Sequence, residues 1–353
     1  MVFGLQTVWD GAFCVVHPGI DGQMTRIVVT GASGHIGANL VRELLGRGYG
    51  VVALVRRSSL ALEGLDVARV DGDILDPQSL RRAFSGAGQV YHLAAHISIQ
   101  AGEKDRLEHV NVEGTRNVLE ACREEGVSTL VHFSSIHALD QRPMDKPVNE
   151  DNPLVDEHAG HVVDYDISKA RADRLVRQND CKTLETRIIY PTAVLGPNDF
   201  KLSLFGQAIN KLAHGKLPAL VAGGFDWVDA RDVAWGAVEA AEKGADGDRY
   251  ILSGHYLDMR QVAAVVAELT GVAAPRLSFP VGLAAVFAPL MSGWARLTGD
   301  TPLYTRDSLA ALKANKVMSH ARAGRELGYC PRPFHESMAD TLNFYSKQIQ
   351  YDK

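Results

Sequence analysis

The chain has 353 residues, 46% apolar content and a formal net charge of −5. It is long enough to bury a large core in one large or two modest domains. Without a basic surplus, nucleic acid and anionic membrane surfaces are excluded as main partners, and a small-molecule ligand is expected.

Residues 1–23 contain no Lys or Arg, and Asp10 interrupts their apolar stretch, so they fit a secretory signal poorly. They are expected to lie outside the fold as a leader, with Met24 standing just before the first strand. From Thr25 to Gly37 an apolar run breaks into three glycines and opens an amphipathic segment, a strand–turn–helix pattern. Ile27, Val28 and Val29 suit a strand buried on both faces. Ile36, Leu40, Val41, Leu44 and Leu45 recur at helical spacing. In this setting Gly31 permits the tight turn, Gly34 allows close ligand approach and Gly37 lets helix pack on strand. A pyrophosphate would sit on the free N–H groups of that helix start.

A second strand, Val51 to Val55, ends in Arg56-Arg57. An acidic residue at this place would bind the adenosine ribose hydroxyls and repel a 2′-phosphate. Here Val55 takes that position, and Arg56, with Arg57 behind it, can meet the phosphate with a planar pair of donors. The alternative is a solvated surface pair. A third strand over 67–70 leads to Asp73 and Ile74, then to a helix capped by Asp76 and begun by Pro77. A fourth strand, 89–93, runs into Ala94-Ala95-His96, small residues that admit a flat ring or ribose. A helix is expected over 105–125, a fifth strand over 129–133 delivering Ser134-Ser135, a helix over 165–177 and a strand over 186–189.

Alternating strands and helices imply a doubly wound parallel α/β sheet of Rossmann type with a smaller C-terminal substrate lobe. The dinucleotide-binding domain is expected over 24–190, with about 226–254 returning to it, and 191–353 is expected to form mostly the substrate lobe. Residues 279–297 are strongly apolar but contain Pro280, Gly282, Pro289 and Gly293. Their uninterrupted runs fall short of the ~20 residues of a membrane span. A core or substrate-pocket helix is expected there.

Tyr165 and Lys169 stand one helical turn apart, where an ammonium would pull the phenol pKa down toward the working range of an acid–base catalyst. Ser135 can share the substrate oxygen with the tyrosine, and Ser134 is its neighbour and alternative. Cys14, Cys122, Cys181 and Cys330 are scattered, as in a reduced cytoplasmic protein. His96, His132, His137, His158 and His161 do not make a metal site, since no H-x-x-x-H lies on one helix with a third ligand. His132 is expected to be packed within its strand, while His96 and His137 can touch substrate. Trp227 and Trp235 are expected in the core.

In this order the motifs TGASGHIG (30–37), GDILD (72–76), HLAA (92–95), NVEGTRNVLEAC (111–122), FSS (133–135), YDISK (165–169), YPTAVLGPND (190–199) and WVDARDVA (227–234) resemble the extended short-chain dehydrogenase/reductase family, epimerase/dehydratase-like. The Val-Arg after strand two, Ser-Ser-Ile and Pro-Thr-Ala-Val are most similar to its dihydroflavonol-reductase and 3β-hydroxysteroid-dehydrogenase branch. The resemblance implies Ser135, Tyr165 and Lys169 as catalytic residues. It also implies a cofactor shell of Gly31, Gly34 and Gly37 around the pyrophosphate, Arg56 at the 2′-phosphate, Asp73 and Ile74 at adenine, Pro191 and Thr192 on the nicotinamide side, and Ser33, His35, Ile36, Ala94, Ala95, Tyr165 and Lys169 along the rest.

The leading expectation is an NADP(H)-dependent carbonyl reductase or alcohol dehydrogenase acting on a mid-sized, fairly apolar substrate, with NAD(H) as the other possible cofactor. An NAD-dependent nucleotide-sugar epimerase or dehydratase is the alternative, although Leu139-Asp140 replaces the Tyr-Gly such enzymes usually carry. A non-catalytic dinucleotide sensor is a third class, but such relatives typically lose the tyrosine or lysine that this chain keeps.

Overall fold

A computed structural model describes residues 26–57, 59–98, 102–159, 162–284, 286, 312 and 314–351. The expectations for residues 1–23, for Cys14, for His161 and for most of 279–297 fall outside these described residues. Among the described residues no helix is long and apolar enough to cross a membrane.

The first half alternates as expected: β1 (Arg26–Thr30), α1 (His35–Gly46), β2 (Gly50–Val55), β3 (Ala68–Asp71), α2 (Pro77–Phe84), β4 (Gln89–His92), α3 (Lys104–Leu107), α4 (Gly114–Glu124), β5 (Thr129–Phe133), α5 (Asp164–Arg177) and β6 (Glu185–Pro191). The second half adds β7 (Ala193–Leu195), α6 (Leu204–Ala213), β8 (Ala219–Val221), β9 (Gly224–Asp229), α7 (Ala230–Lys243), β10 (Asp248–Leu252), β11 (His255–Asp258), α8 (Met259–Thr270), β12 (Leu277–Phe279), α9 (Ala321–Leu327) and α10 (Phe334–Tyr351).

Seven parallel strands form the main sheet in the order β10-β6-β5-β4-β1-β2-β3. β1 pairs with β2 on one side and β4 on the other, so strand order reverses there and opens a crevice at the carboxyl ends, where such sheets take ligands. Alternate residues feed two cores. Val28, Val90 and Leu130 face α2, α4 and α5. Ile27, Val29 and Val131 face α1 and α7, whose Ala234, Ala237 and Ala240 let the helix lie close. Burial on both faces explains the unbroken apolar runs of these strands.

Helix starts follow local chemistry. Asp76 Oδ1 accepts from Gln78 N at 3.0 Å, and Pro77 occupies the first helical position. Asp229 and Asp258 cap α7 and α8 in the same way. Beyond β6 the chain also forms a β11-β9-β7 sheet and a β12-β8 pair. The core there holds Trp227 with Phe205, Phe225 and Phe334 set edge to face, centroids 4.9–6.2 Å from the Trp227 ring. Trp227 is therefore core, as expected, and Trp235 packs against the α1–α7 side.

The helix expected over 105–125 is not uniform, because Glu108–Glu113 forms a wider π turn between α3 and α4. At its end Gly114 packs onto Ile74, whose Cδ1 would lie 2.6 Å from an added Cβ. The turn also seats Asn111, buried, where it ties the loop after β4 to α5.

Gly37 faces the turn after β1 at contact distance. A Cβ there would collide with Gly31 O and come within 2.9 Å of Ala32 Cα. Both neighbours are backbone and cannot give way. Gly37→Ala is expected to lower stability by about 1–3 kcal/mol, the usual cost of overpacking. Equilibrium urea unfolding checks this, and an unchanged midpoint would show that the turn has slack.

Candidate active site

The glycine turn after β1 is a backbone cradle. Gly31 holds φ +72, and a Cβ on it would meet Ala94 N at 2.6 Å. Gly34 N donates to Gly31 O at 2.9 Å, and Gly34 then caps α1 with no side chain occupying the cap and no acidic residue in the first turn. The helix start therefore offers N–H groups and its positive dipole end to an anion, which fits a dinucleotide diphosphate. The His35 ring turns away from this cradle: Nε2 lies 3.1 Å from both Gly196 O and Pro197 O. Asn39 Nδ2 donates to Pro197 O at 2.9 Å, and Asn198 Nδ2 donates to Asn39 Oδ1 at 2.9 Å. Thus α1 is latched to the segment after β7, and only the main chain of His35 faces the turn.

At the far end of the crevice Arg56 leaves β2 with its side chain 76% exposed, 3.8 Å from Asp73 Oδ2. Arg57 is exposed beside it. Asp73 Oδ1 accepts from Leu75 N at 3.0 Å. The Ile74 side chain is packed under α4, and Asn117 Nδ2 holds its carbonyl at 3.0 Å, so an adenine can meet only its backbone. Ala94 N is tied to Thr30 Oγ1 at 3.3 Å, and Ala95 is exposed at the crevice edge.

Across the switch point β5 and α5 bring Ser135, Tyr165 and Lys169 together. Ser135 stands beside the half-buried Tyr165 hydroxyl, near enough to act on the phenol, and its Oγ accepts from His137 N at 3.2 Å. The neighbouring Ser134 Oγ is buried and has no hydrogen-bond partner among the described residues. Lys169, buried, donates from Nζ to Phe133 O at 2.7 Å.

The electrostatics differ from the expectation that lysine pulls the phenol down. Burial pushes Tyr165 up to about 12, while Ser135 beside it acts the other way. Burial pushes Lys169 down to about 8, with the Asp173 carboxylate opposing. Burial thus dominates both groups, and the Lys169 ammonium is turned toward a carbonyl of β5. His137 lies 3.1 Å from Asp166 through Nδ1, and its ring stands edge-on to Tyr165 with centroids 5.9 Å apart. Burial lowers the imidazole pKa, but Asp166 outweighs it and leaves it above its ordinary value. Pro191 and Thr192 end β6 beside this group, and Thr192 Oγ1 donates to Asp226 Oδ1 at 2.7 Å.

His96 hydrogen-bonds Glu103 at 2.5 Å, and His132 is packed within β5 against His92, centroids 5.4 Å apart. His158 is exposed, away from any packed cluster. Two residues were not singled out by sequence. Asn111 Oδ1 accepts from His96 N at 2.7 Å and its Nδ2 donates to Ser168 Oγ at 3.0 Å, bracing the crevice wall. An asparagine on the inner face of an otherwise amphipathic helix was its only signal. The other is Lys201, whose Nζ donates to Ser33 Oγ at 3.0 Å.

A parallel sheet, a bare glycine cradle at the switch point and a phenol–serine–lysine group beside it define an NAD(P)-dependent enzyme of Rossmann type. The model of the NAD dependent epimerase/dehydratase family matches residues 27–253, and the chain belongs to that family, within the extended short-chain dehydrogenase/reductases. It is 38% identical over 325 residues to sterol demethylase protein B of Methylococcus capsulatus, covering 91% of this chain and 98% of that protein. It is 30% identical over 328 residues to a putative dihydroflavonol 4-reductase of Synechocystis sp., covering 90% and 93%. The solved structure of gox2253 superposes with a TM-score of 0.79 at 32% identity, covering 91% of this chain and 98% of that one.

Proposed function

We propose that the enzyme interconverts a carbonyl and a secondary alcohol on a mid-sized, fairly apolar substrate with NADP(H). Residues 24–190 and about 226–254 would hold the dinucleotide, and the rest of 191–353 the substrate. The observation that carries this reading is Tyr165 with Ser135 beside its hydroxyl and Lys169 one turn along α5, next to the glycine cradle. A bound nicotinamide supplies or accepts the hydride at the substrate carbon. In reduction Tyr165 donates its proton to the carbonyl oxygen, and Ser135 donates a hydrogen bond to the same oxygen. Lys169 would hold the nicotinamide ribose, and Pro191 and Thr192 would line the nicotinamide side. Gly31, Ser33, Gly34, His35, Ile36 and Gly37 offer the diphosphate cradle, and Asp73, Ile74, Ala94 and Ala95 the adenosine wall. Relatives named as reductases and dehydrogenases support the reaction class.

A phenol held near 12 stays protonated at neutral pH, which suits a proton donor. Carbonyl reduction should therefore stay level between about pH 6 and about pH 8, while alcohol oxidation, which needs the phenolate, rises with pH over the same span. Initial rates in both directions across that range check this, and oxidation that fell as pH rose would contradict it.

Arg56 supports NADP(H) over NAD(H), because it can pair with a 2′-phosphate and Val55 offers no carboxylate to repel one. A charge-assisted contact contributes about 1.5–3 kcal/mol, and an exposed site keeps the lower end. Arg56→Ala should weaken NADPH about tenfold and leave NADH nearly unchanged. Equal losses for both cofactors in a binding titration would defeat the assignment. The reaction itself is tested by assaying a panel of ketones, aldehydes and nucleotide sugars with NADPH and NADH.

A further inference from the structure

We propose that Lys201 is a second cation for the adenosine 2′-phosphate, forming with Arg56 and the Ser33 hydroxyl a site for a phosphate monoester. The proposal deepens the NADP(H) reading and rests on it.

Lys201 arrives from the late lobe, 168 residues along the chain from the glycine turn, yet its Nζ donates to Ser33 Oγ at 3.0 Å. Among the described residues no carboxylate lies within ion-pair distance of it. Arg56 stands at the end of the adjacent strand β2, and its only carboxylate contact among the described residues is the loose 3.8 Å approach to Asp73. Burial, and after it the charge of Arg56, depresses the Lys201 ammonium, so the two cations feel each other. Like charges left together at the mouth of a dinucleotide crevice are unfavourable unless an anion joins them.

The position of Lys201 is set by its neighbours. Before it, the carbonyls of Gly196 and Pro197 are held by His35 and Asn39. Asp199, buried, accepts through Oδ2 from Ser203 N at 2.8 Å, from Ser203 Oγ at 2.7 Å and from Tyr345 OH at 3.1 Å. Phe200 packs under the Arg42 guanidinium, 5.6 Å from the ring centroid, and against Phe344 at 5.1 Å. Asn198 and Leu202 bracket the lysine with φ of 67 and 51. A leucine in the left-handed region is held there by its surroundings, as at sites where geometry serves a ligand. The segment thus places one ammonium over Ser33, beside the strand end that carries Arg56.

The test is calorimetric titration of the full chain with adenosine 2′,5′-bisphosphate, 5′-AMP and 5′-ADP. The first two differ only by the 2′-phosphate, and the last two only by the second 5′-phosphate. The unmodified protein should prefer the 2′,5′-bisphosphate to 5′-AMP. Lys201→Gln should reduce that affinity about five- to tenfold and leave 5′-AMP and 5′-ADP within about twofold, while Lys201→Arg should retain most of it. Unchanged affinity for the 2′,5′-bisphosphate in Lys201→Gln overturns the proposal, as does a loss confined to 5′-ADP or shared equally by all three ligands. If Arg56→Ala loses the preference and Lys201→Gln keeps it, this inference fails and the NADP(H) reading stands. If the unmodified protein shows no preference, both fail.

Discussion

Tyr165→Phe is expected to slow turnover by roughly 10²–10⁴-fold, the contribution of a positioned general acid, while fold and cofactor binding persist. The substitution removes one oxygen from a half-buried ring. The loss to the fold is small because the neighbouring Ser135 still accepts from His137 N at 3.2 Å. The edge-on contact with His137 survives, since it belongs to the ring. What disappears is the hydroxyl proposed as proton donor. Stopped-flow measurement of hydride transfer with the folded variant separates this effect from product release, and a near-normal rate would reject Tyr165 as donor.

Lys169→Met is expected to damage both turnover and cofactor binding without a matching loss of stability. Its folded pKa of about 8 lies below the unfolded value of ~10.4, so the native state binds fewer protons between those values. From this group the unmodified protein gains stability as pH rises through that window, and at neutral pH it carries the full cost of the buried charge, on the order of 3 kcal/mol. Met removes that cost but leaves Phe133 O without its donor, a penalty of about 1–3 kcal/mol. The two nearly cancel. At neutral pH the variant should melt within a few degrees of the unmodified protein, and the comparison should shift in favour of the unmodified protein from about pH 8 upward. A variant that unfolded outright would show that Lys169 is primarily structural.

Much of the sheet was legible because strands buried on both faces need unbroken apolar runs, as in Ile27 to Val29 and Val51 to Val55. Asp76 and Pro77 marked a helix start through local hydrogen bonding. The π turn over Glu108–Glu113 was not legible, because one extra residue in a turn shifts the apolar pattern too little to detect. Contacts across long separations were equally hidden. The His35 latch and the Lys201–Ser33 bond join residues 161 to 168 positions apart, and no local pattern encodes them. The direction of the Lys169 ammonium depends on a carbonyl of β5, so its effect on Tyr165 could not be read from the one-turn spacing alone. That Ser135 stands beside the phenol while Ser134 Oγ is buried depends on the folded backbone, and the adjacent pair of serines carries no sign of it.

The most direct test of carbonyl reduction is isotope transfer from NADPH deuterated at nicotinamide C4. The enzyme is incubated with the ketone, aldehyde and nucleotide-sugar panel, and products are read by mass spectrometry alongside NADP⁺ formed. The account predicts one deuterium on the carbinol carbon of a reduced ketone or aldehyde product, in step with NADP⁺. A dinucleotide that stays bound and is not consumed, with a nucleotide sugar inverted or dehydrated and no net reduction of any carbonyl, would contradict it.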